Sequence, residues 1–267
     1  MNSSIGTAGL VKAETHSPFG EVLPRVYELK NMLADASHPD AYFQDFEDGL
    51  EKYKSKLNAF VKLERQLAVL DDEGWRDLKE RAALHLVSQT REQGRGWQSL
   101  FDVFSEARGF GYLASIGCIG VRFIKRTKGK TPDLGAVRDG GPVLCEVKTI
   151  NISKDEAEKR QRISKGAFVA GSTSIHVGDG FLKKLTATLE HAVEQLDGPD
   201  PERKAQRMVF TVVHFDDWVG DYQQEYFEQM DEHMLRHPVA GAELVFCPAS
   251  NLFERAFTMR SAVVLPE

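Results

Sequence analysis

Residues 131–148 read TPDLGAVRDGGPVLCEVK and form two alternating runs separated by the pair Asp139-Gly140. An Asp-Gly pair between such runs is a strong signal for a β-hairpin with a type I′ turn, because both turn residues take positive φ. With these two residues as the loop, Arg138 pairs with Gly141 and Asp133 faces Glu146. We therefore expect the two carboxylates to lie side by side, with Cβ atoms about 4.5–5.5 Å apart.

The alternation of the two runs supports this register. Apolar residues occupy the positions that alternate with Asp133, Glu146 and Lys148. One face of the hairpin is therefore predicted to be core and the other to display the three polar side chains. A three-residue loop would instead place Asp133 opposite Val147 and separate the carboxylates, so the prediction depends on the turn length. The apolar residues on the predicted core face are Leu134, Ala136, Val143, Cys145 and Val147.

Two neighbouring carboxylates repel each other unless a cation lies between them or one keeps its proton with a raised pKa. Oxygen ligands without a nearby His or Cys favour a hard ion, Mg²⁺ or Mn²⁺. A lysine beside such an ion can orient the attacking water and offset the charge of a phosphate. The structural alternative is an exposed network of Asp133, Glu146 and Lys148 on a sheet surface.

The string Pro132-Asp133, twelve residues, then Glu146-Val147-Lys148 resembles the signature of the PD-(D/E)XK nuclease superfamily. This superfamily includes restriction endonucleases, Holliday-junction resolvases and several repair and defence nucleases, and the resemblance covers about residues 97–215. It implies a Mg²⁺-dependent nuclease, with Mn²⁺ as a substitute, that acts on nucleic acid and most often on DNA. Asp133 and Glu146 would bind the metal, the carbonyl of Val147 would add a ligand, and Lys148 would position the water.

The resemblance also implies site residues on the helices that flank the hairpin. The first helix of the family core often supplies a further acid, for which Glu106 is the match, as a metal ligand or part of a second metal site. Asp102 lies one turn earlier on the same face, so a solvated helix surface stays an alternative. In the helix after the hairpin, a polar row that includes Lys184 and Gln195 can border the active site, and a solvated flank explains that row equally well.

The charge of the chain is unevenly distributed. The formal net charge is −6, yet residues 122–165 contain 12 Lys or Arg and six Asp or Glu, so this segment is +6 and the remainder −12. Such an asymmetry indicates a local surface for a polyanion on an otherwise acidic protein, although a solvated basic loop pair has the same composition. The candidate phosphate or DNA contacts in this segment are Lys125, Arg126, Lys128 and Lys130.

The order of predicted elements is α-β-β-β-α-β-α-β, which indicates an α/β or α+β fold. With the resemblance, we expect a restriction-endonuclease-like core: a central mixed β-sheet flanked by helices, with an N-terminal helical extension. Residues 1–95 are predicted as the helical region, loose over about the first 20 residues, and residues 96–267 as the nuclease domain. A helical hairpin starting at Tyr42 is expected to serve packing or homodimer formation.

Several function classes are disfavoured by the composition. No apolar run approaches the roughly 20 residues of a membrane span, and the first 20 residues do not resemble a secretory signal, so we expect a cytoplasmic protein without a membrane partner. The second hypothesis is a non-catalytic nucleic-acid-binding or assembly subunit with the same fold. It is disfavoured because degenerate members usually lose the acids or the lysine. A third is a purely helical interaction protein formed by residues 40–90, which leaves the hairpin residues unexplained.

Overall fold

In the computed structural model of the chain, the residues described are 18–33, 38, 41–87, 97–125, 130–153, 158, 162, 174–215, 222–249 and 257–258. The helices are α1 Pro24–Asn31, α2 Phe46–Lys52, α3 Lys54–Leu67, α4 Asp72–Ala83, α5 Gln98–Ser115, α6 Asp179–Asp197 and α7 Gln223–Arg236. The strands are β1 Ile119–Phe123, β2 Leu134–Arg138, β3 Gly141–Ile150, β4 Gln206–Val213, β5 Glu243–Pro248 and β6 Phe257–Thr258.

The strands form one six-stranded sheet in the order β1-β2-β3-β4-β5-β6. The first three strands pair antiparallel, β3-β4 and β4-β5 are parallel, and β6 returns antiparallel to β5. Parallel neighbours need a crossover, and α6 and α7 provide the two crossovers. The protein is therefore an α+β chain with a mixed sheet flanked by helices, as the sequence predicted.

The β2-β3 hairpin has the register expected from its turn. Arg138 pairs with Gly141 and Leu134 with Cys145, so the next step along both strands places Asp133 opposite Glu146. Asp139 and Gly140 have φ values of +53° and +79°, the two positive angles that a type I′ turn requires. The two-residue loop is thus confirmed, and with it the relative position of the two carboxylates.

The sheet is covered on both faces. On one face, Phe104 and Ala107 of α5 belong to a hydrophobic cluster with Cys145 and Val147 of β3 and Phe210 of β4. On the other face, apolar residues of α6 and α7 form a second cluster with alternate residues of β4 and β5. Helices on both faces leave little of the sheet surface open to water, which matters for the polar residues of β3.

The N-terminal helices belong to the same core as the sheet. Leu29 of α1, Leu67 of α3 and Leu78 of α4 lie in one buried cluster with α5 and the strands. The stripe that starts at Tyr42 forms two helices, because Tyr53 has an extended backbone between α2 and α3. The predicted division at residue 95 falls within residues 88–96, outside the described part, and remains a prediction.

Two short elements have no counterpart among the predicted ones. Helix α1 begins with Pro24, whose fixed φ suits the first helical position, and only Val26 and Leu29 are buried along it. Strand β6 is two residues long. In the described residues, no helix combines the length and apolar character that a membrane crossing requires.

The turn can be tested by a pair of glycine substitutions. Gly140→Ala places a Cβ where nothing lies within 4 Å, so the expected loss of about 1 kcal/mol comes only from the positive φ. Gly180→Ala, in the first turn of α6 and equally uncrowded, should leave the unfolding free energy unchanged or raise it. Urea unfolding of both variants measures the difference, and equal stabilities would contradict the assigned turn.

Candidate active site

The carboxylate of Asp133 lies where β2 begins and is held by the neighbouring strand. Its Oδ2 accepts a hydrogen bond of 2.9 Å from the backbone N–H of Val147. Asp133 is 8% exposed, and its own carbonyl accepts from the N–H of Ile124 at 2.9 Å. The hydrogen bond from Val147 therefore fixes the Asp133 carboxylate against the backbone of β3, one residue after Glu146.

Glu146 is the more deeply buried acid of the pair, at 2% exposure. It pairs across the parallel ladder with Val209 of β4 and points to the sheet face that α6 covers with Leu189 and Leu196. We expected the polar residues of the hairpin to be displayed on an open face. That expectation is wrong, because both carboxylates are buried and α6 packs over β3, the strand that carries Glu146.

Lys148 joins the hairpin to α6. Its Nζ donates a hydrogen bond of 2.5 Å to Oε1 of Glu146 and a second hydrogen bond to Oε1 of Gln195. The lysine side chain is 20% exposed, so its ammonium lies between the buried acid and solvent. Gln195, predicted from its polar row, is thus placed directly beside the hairpin residues.

The second oxygen of Glu146 has no hydrogen-bond partner among the residues that the structure describes. Oε2 is buried, although buried carboxylate oxygens are normally hydrogen-bonded. An orphaned carboxylate oxygen next to a second carboxylate fits a hard cation, and Mg²⁺ typically binds one or two carboxylates and keeps several waters. Among the described residues, no group of three or more His, Cys, Asp or Glu side chains could hold a metal ion.

The electrostatics of this group follow from burial and charge crowding. Burial, together with the negative charges of Asp133 and Glu106, raises the pKa of Glu146 to about 7, although Lys148 acts to lower it. Near neutral pH part of the Glu146 population is therefore protonated. A cation bound here would displace that proton.

Glu106 is buried, whereas its neighbour Asp102 is exposed. Glu106 is 4% exposed on α5 and accepts from Nη1 of Arg81, which also donates to Asp77 at 3.1 Å. Asp102 accepts instead from Gln98 of its own helix at 2.8 Å. Of the two acids, Glu106 is the one whose charge acts on Glu146.

Sequence reasoning missed Arg81. It lies on α4, 25 residues before its partner Glu106, and its guanidinium also stacks 4.4 Å from the ring centroid of Phe123. No local pattern distinguishes Arg81 from the other charged residues of an amphipathic helix. The contact arises only because α4 packs against α5 and β1.

The other predicted contacts lie farther from the hairpin. Lys184 is exposed on α6, 11 residues before Gln195 and therefore about 16 Å away along the helix axis. Lys125 is exposed after β1, and Lys130 is exposed and forms an ion pair of 3.3 Å with Glu194. Arg126 and Lys128 lie outside the described residues.

Comparisons with known proteins identify no relative of this chain. No protein-family model, no curated protein and no solved structure matches it. The chemistry of the site is therefore argued from its own residues.

The raised pKa of Glu146 predicts a pH dependence of stability. Between about 4.5, its ordinary value, and about 7, the unfolded chain has lost this proton and the folded chain retains it, so the contribution of Glu146 to stability falls as the pH rises. Glu146→Gln removes this contribution. The difference in unfolding free energy, variant minus parent, should grow from pH 4.5 to pH 7 and then level off.

Urea unfolding at several pH values measures this difference. Asp133→Asn serves as the partner variant, since its amide oxygen can still accept from Val147 while one negative charge is gone. Asp133→Asn should lower the pKa of Glu146. The pH range over which the difference in unfolding free energy grows should therefore move to lower pH. A variant-minus-parent difference that is constant with pH would contradict the assignment.

Proposed function

We propose that the protein is a metal-dependent nuclease that hydrolyses phosphodiester bonds, with DNA as its substrate. One observation carries this proposal. The end of a single hairpin brings together two adjacent buried carboxylates, one with an unpartnered oxygen, and a lysine that contacts the second carboxylate. Structural ion pairs usually satisfy their buried oxygens, whereas a site that binds a further group leaves one unsatisfied.

The order of elements around the hairpin supports a restriction-endonuclease-like core. Helix α5 precedes three antiparallel strands, and α6 and the parallel strand β4 follow. This is the α-β-β-β-α-β order that the resemblance implied, with Asp133 at the start of the second strand and Glu146-Val147-Lys148 on the third. The basic segment of residues 122–165 supports a polyanionic substrate.

Each residue of the site has a role that follows from its position. Asp133 and Glu146 would hold a Mg²⁺ ion, with the carbonyl of Val147 as a further ligand. The bound ion would supply a nucleophilic water at neutral pH and stabilise charge on the phosphate. The Lys148 side chain forms an ion pair with Glu146 and is partly exposed. Its ammonium can therefore also orient the water and neutralise the phosphate oxygens.

Gln195 and Arg81 would act through these residues. Gln195 accepts from Lys148 and thereby limits the rotamers of the lysine. Arg81 offsets the charge of Glu106, which reduces the repulsion that Glu146 experiences from a third carboxylate. Both are positioning residues in this proposal, and Glu106 is a candidate for a second metal site only if Arg81 releases it.

A non-catalytic nucleic-acid-binding subunit is the second candidate. It is favoured by two contacts within the protein, since Lys148 donates to Gln195 and Arg81 pairs with Glu106. In that case the polar group would be a structural network that holds α4 and α6 against the hairpin. The two candidates differ in whether cleavage occurs at all.

The experiment is a cleavage assay on circular DNA, linear DNA and single-stranded RNA, each with Mg²⁺ and with a chelator. A nuclease should nick or degrade at least one DNA substrate in Mg²⁺ and none in chelator. Binding of DNA without cleavage on every substrate would support the non-catalytic candidate. Cleavage of RNA alone would support a nuclease but would overturn DNA as its substrate.

Isosteric variants assign the activity to the hairpin. Asp133→Asn and Glu146→Gln should abolish Mg²⁺-dependent cleavage. Lys148→Ala should lower the rate by about 10² or more while DNA binding persists. Lys148→Arg should not rescue it, because a guanidinium differs in shape and stays protonated.

Matched controls come from the exposed surface of α6. Lys183→Ala and Glu190→Ala remove the same charges from solvent-exposed positions and should cleave at the parental rate. Circular dichroism and thermal unfolding confirm that each variant is folded. Parental turnover in the Asp133 or Glu146 variant would show that the site is elsewhere.

A further inference from the structure

A cavity of about 490 Å³ lies between α3 and α5, on the sheet face opposite Glu146. Its floor at the sheet is formed by Val212 of β4, together with His214 and Ala249, which follow β4 and β5. Small-molecule sites typically have volumes of about 300–1,000 Å³, and ligands of sheets with parallel strands bind beyond the carboxyl ends of those strands. Both size and position are those of a binding site.

One wall of the cavity is aromatic. Tyr42, Phe60, Phe101 and Phe104 line it, and the Tyr42 ring lies 6.0 Å from the rings of Phe60 and Phe101 and 6.3 Å from that of Phe104. Phe101 is 37% exposed, so part of this wall is accessible from solvent. Aromatic rings arranged in this way can pack against a planar group such as a nucleobase.

A positive charge is contributed to the cavity by Arg108 on α5. It lines the cavity, its buried Nη1 has no hydrogen-bond partner among the described residues, and the guanidinium interacts with the thiol of Cys247. In the described part of the chain, no carboxylate forms an ion pair with Arg108. Burial lowers the pKa of Arg108, but a guanidinium stays protonated in proteins.

The charged side chains among the described lining residues are all basic. Lys62 and His214 are among the lining residues, and the described residues of the lining include no Asp or Glu. A buried cation without a counter-charge is costly, and an anionic ligand offsets that cost. Guanidinium groups bind phosphate with particular geometric specificity, because two N–H groups can pair with two phosphate oxygens. The cavity is therefore complementary to a ligand with a phosphate and a planar, largely apolar body.

The cavity adjoins the candidate active site through β3. Ser105 lines the cavity and directly precedes Glu106, and its Oγ accepts a hydrogen bond of 3.1 Å from Thr149, the residue after Lys148. A ligand here would contact the back of the strand that carries the proposed catalytic residues. It would not contact those residues themselves.

We infer that this cavity binds a nucleoside monophosphate, with its phosphate on Arg108 and its base against the aromatic wall. The choice of a nucleotide over other planar anions rests on the proposed function. The nucleotide could be free or could be the terminal residue of a nucleic-acid strand. These two sources share the recognised chemistry and are separated by the experiment.

The test measures binding to the 267-residue chain in chelator, so that no cleavage can occur. The four deoxynucleoside 5′-monophosphates, the matching deoxynucleosides and inorganic phosphate are titrated by calorimetry, and thermal unfolding is followed in parallel. At least one monophosphate should bind and raise the melting temperature. Its deoxynucleoside and phosphate alone should bind at least tenfold more weakly.

Arg108→Met and Phe101→Ala are the informative variants. Arg108→Met removes a buried charge that no carboxylate of the described residues compensates, so it should fold with at least parental stability and bind the monophosphate at least tenfold more weakly. Phe101→Ala should weaken binding of the monophosphate and leave that of inorganic phosphate unchanged. Arg236→Met, an exposed cation on α7, is the control that should bind like the parent.

Competition by a tetranucleotide with a 5′- or 3′-terminal phosphate identifies the source. Displacement of the monophosphate from the parent protein supports a strand end, and failure to displace it supports a free nucleotide. No binding to the parent, or equal binding to Arg108→Met, would overturn the inference. Cleavage without nucleotide binding would overturn this inference alone, and nucleotide binding without cleavage would overturn only the proposed nuclease.

Discussion

The two-residue turn at Asp139-Gly140 sets the geometry on which the rest of the site depends. Because side chains alternate with a period of two, a loop longer by one residue would move the acids out of register. The constraint extends beyond the hairpin, since β3 also pairs in parallel with β4 along most of its length. The position of Glu146 under α6 is therefore decided at the turn.

Burial of three carboxylates close together requires compensation, and the chain supplies it from separate elements. Val147 donates a backbone N–H to Asp133, Lys148 contacts Glu146, and Arg81 pairs with Glu106. The last of these comes from α4, so the N-terminal helices contribute to the electrostatics of the hairpin. One oxygen of Glu146 stays unsatisfied, and this oxygen is what distinguishes the group from a closed ion-pair network.

Helix α5 connects the two parts of the molecule to which we assign binding. Glu106 acts on the hairpin carboxylates, and the neighbouring Ser105 and Arg108 line the cavity toward α3. The residues at 101, 104, 105 and 108 recur at helical spacing, so they share one face. Arg108 is a charged residue in a row that is otherwise mostly apolar. Periodicity alone assigns this row to the core, so the charge was the signal in the sequence.

The sequence by itself determined the order of elements, the turn, the register and the adjacency of Asp133 and Glu146, because each follows from a pattern within one or two strands. It missed α1 and β6, since such short elements carry too few periods to be recognised. Only the tertiary structure decided that both acids are buried, that Arg81 holds Glu106 and that a cavity lies beside Arg108. Periodicity shows which face of an element is apolar, whereas the element that covers this face is selected by packing between distant segments.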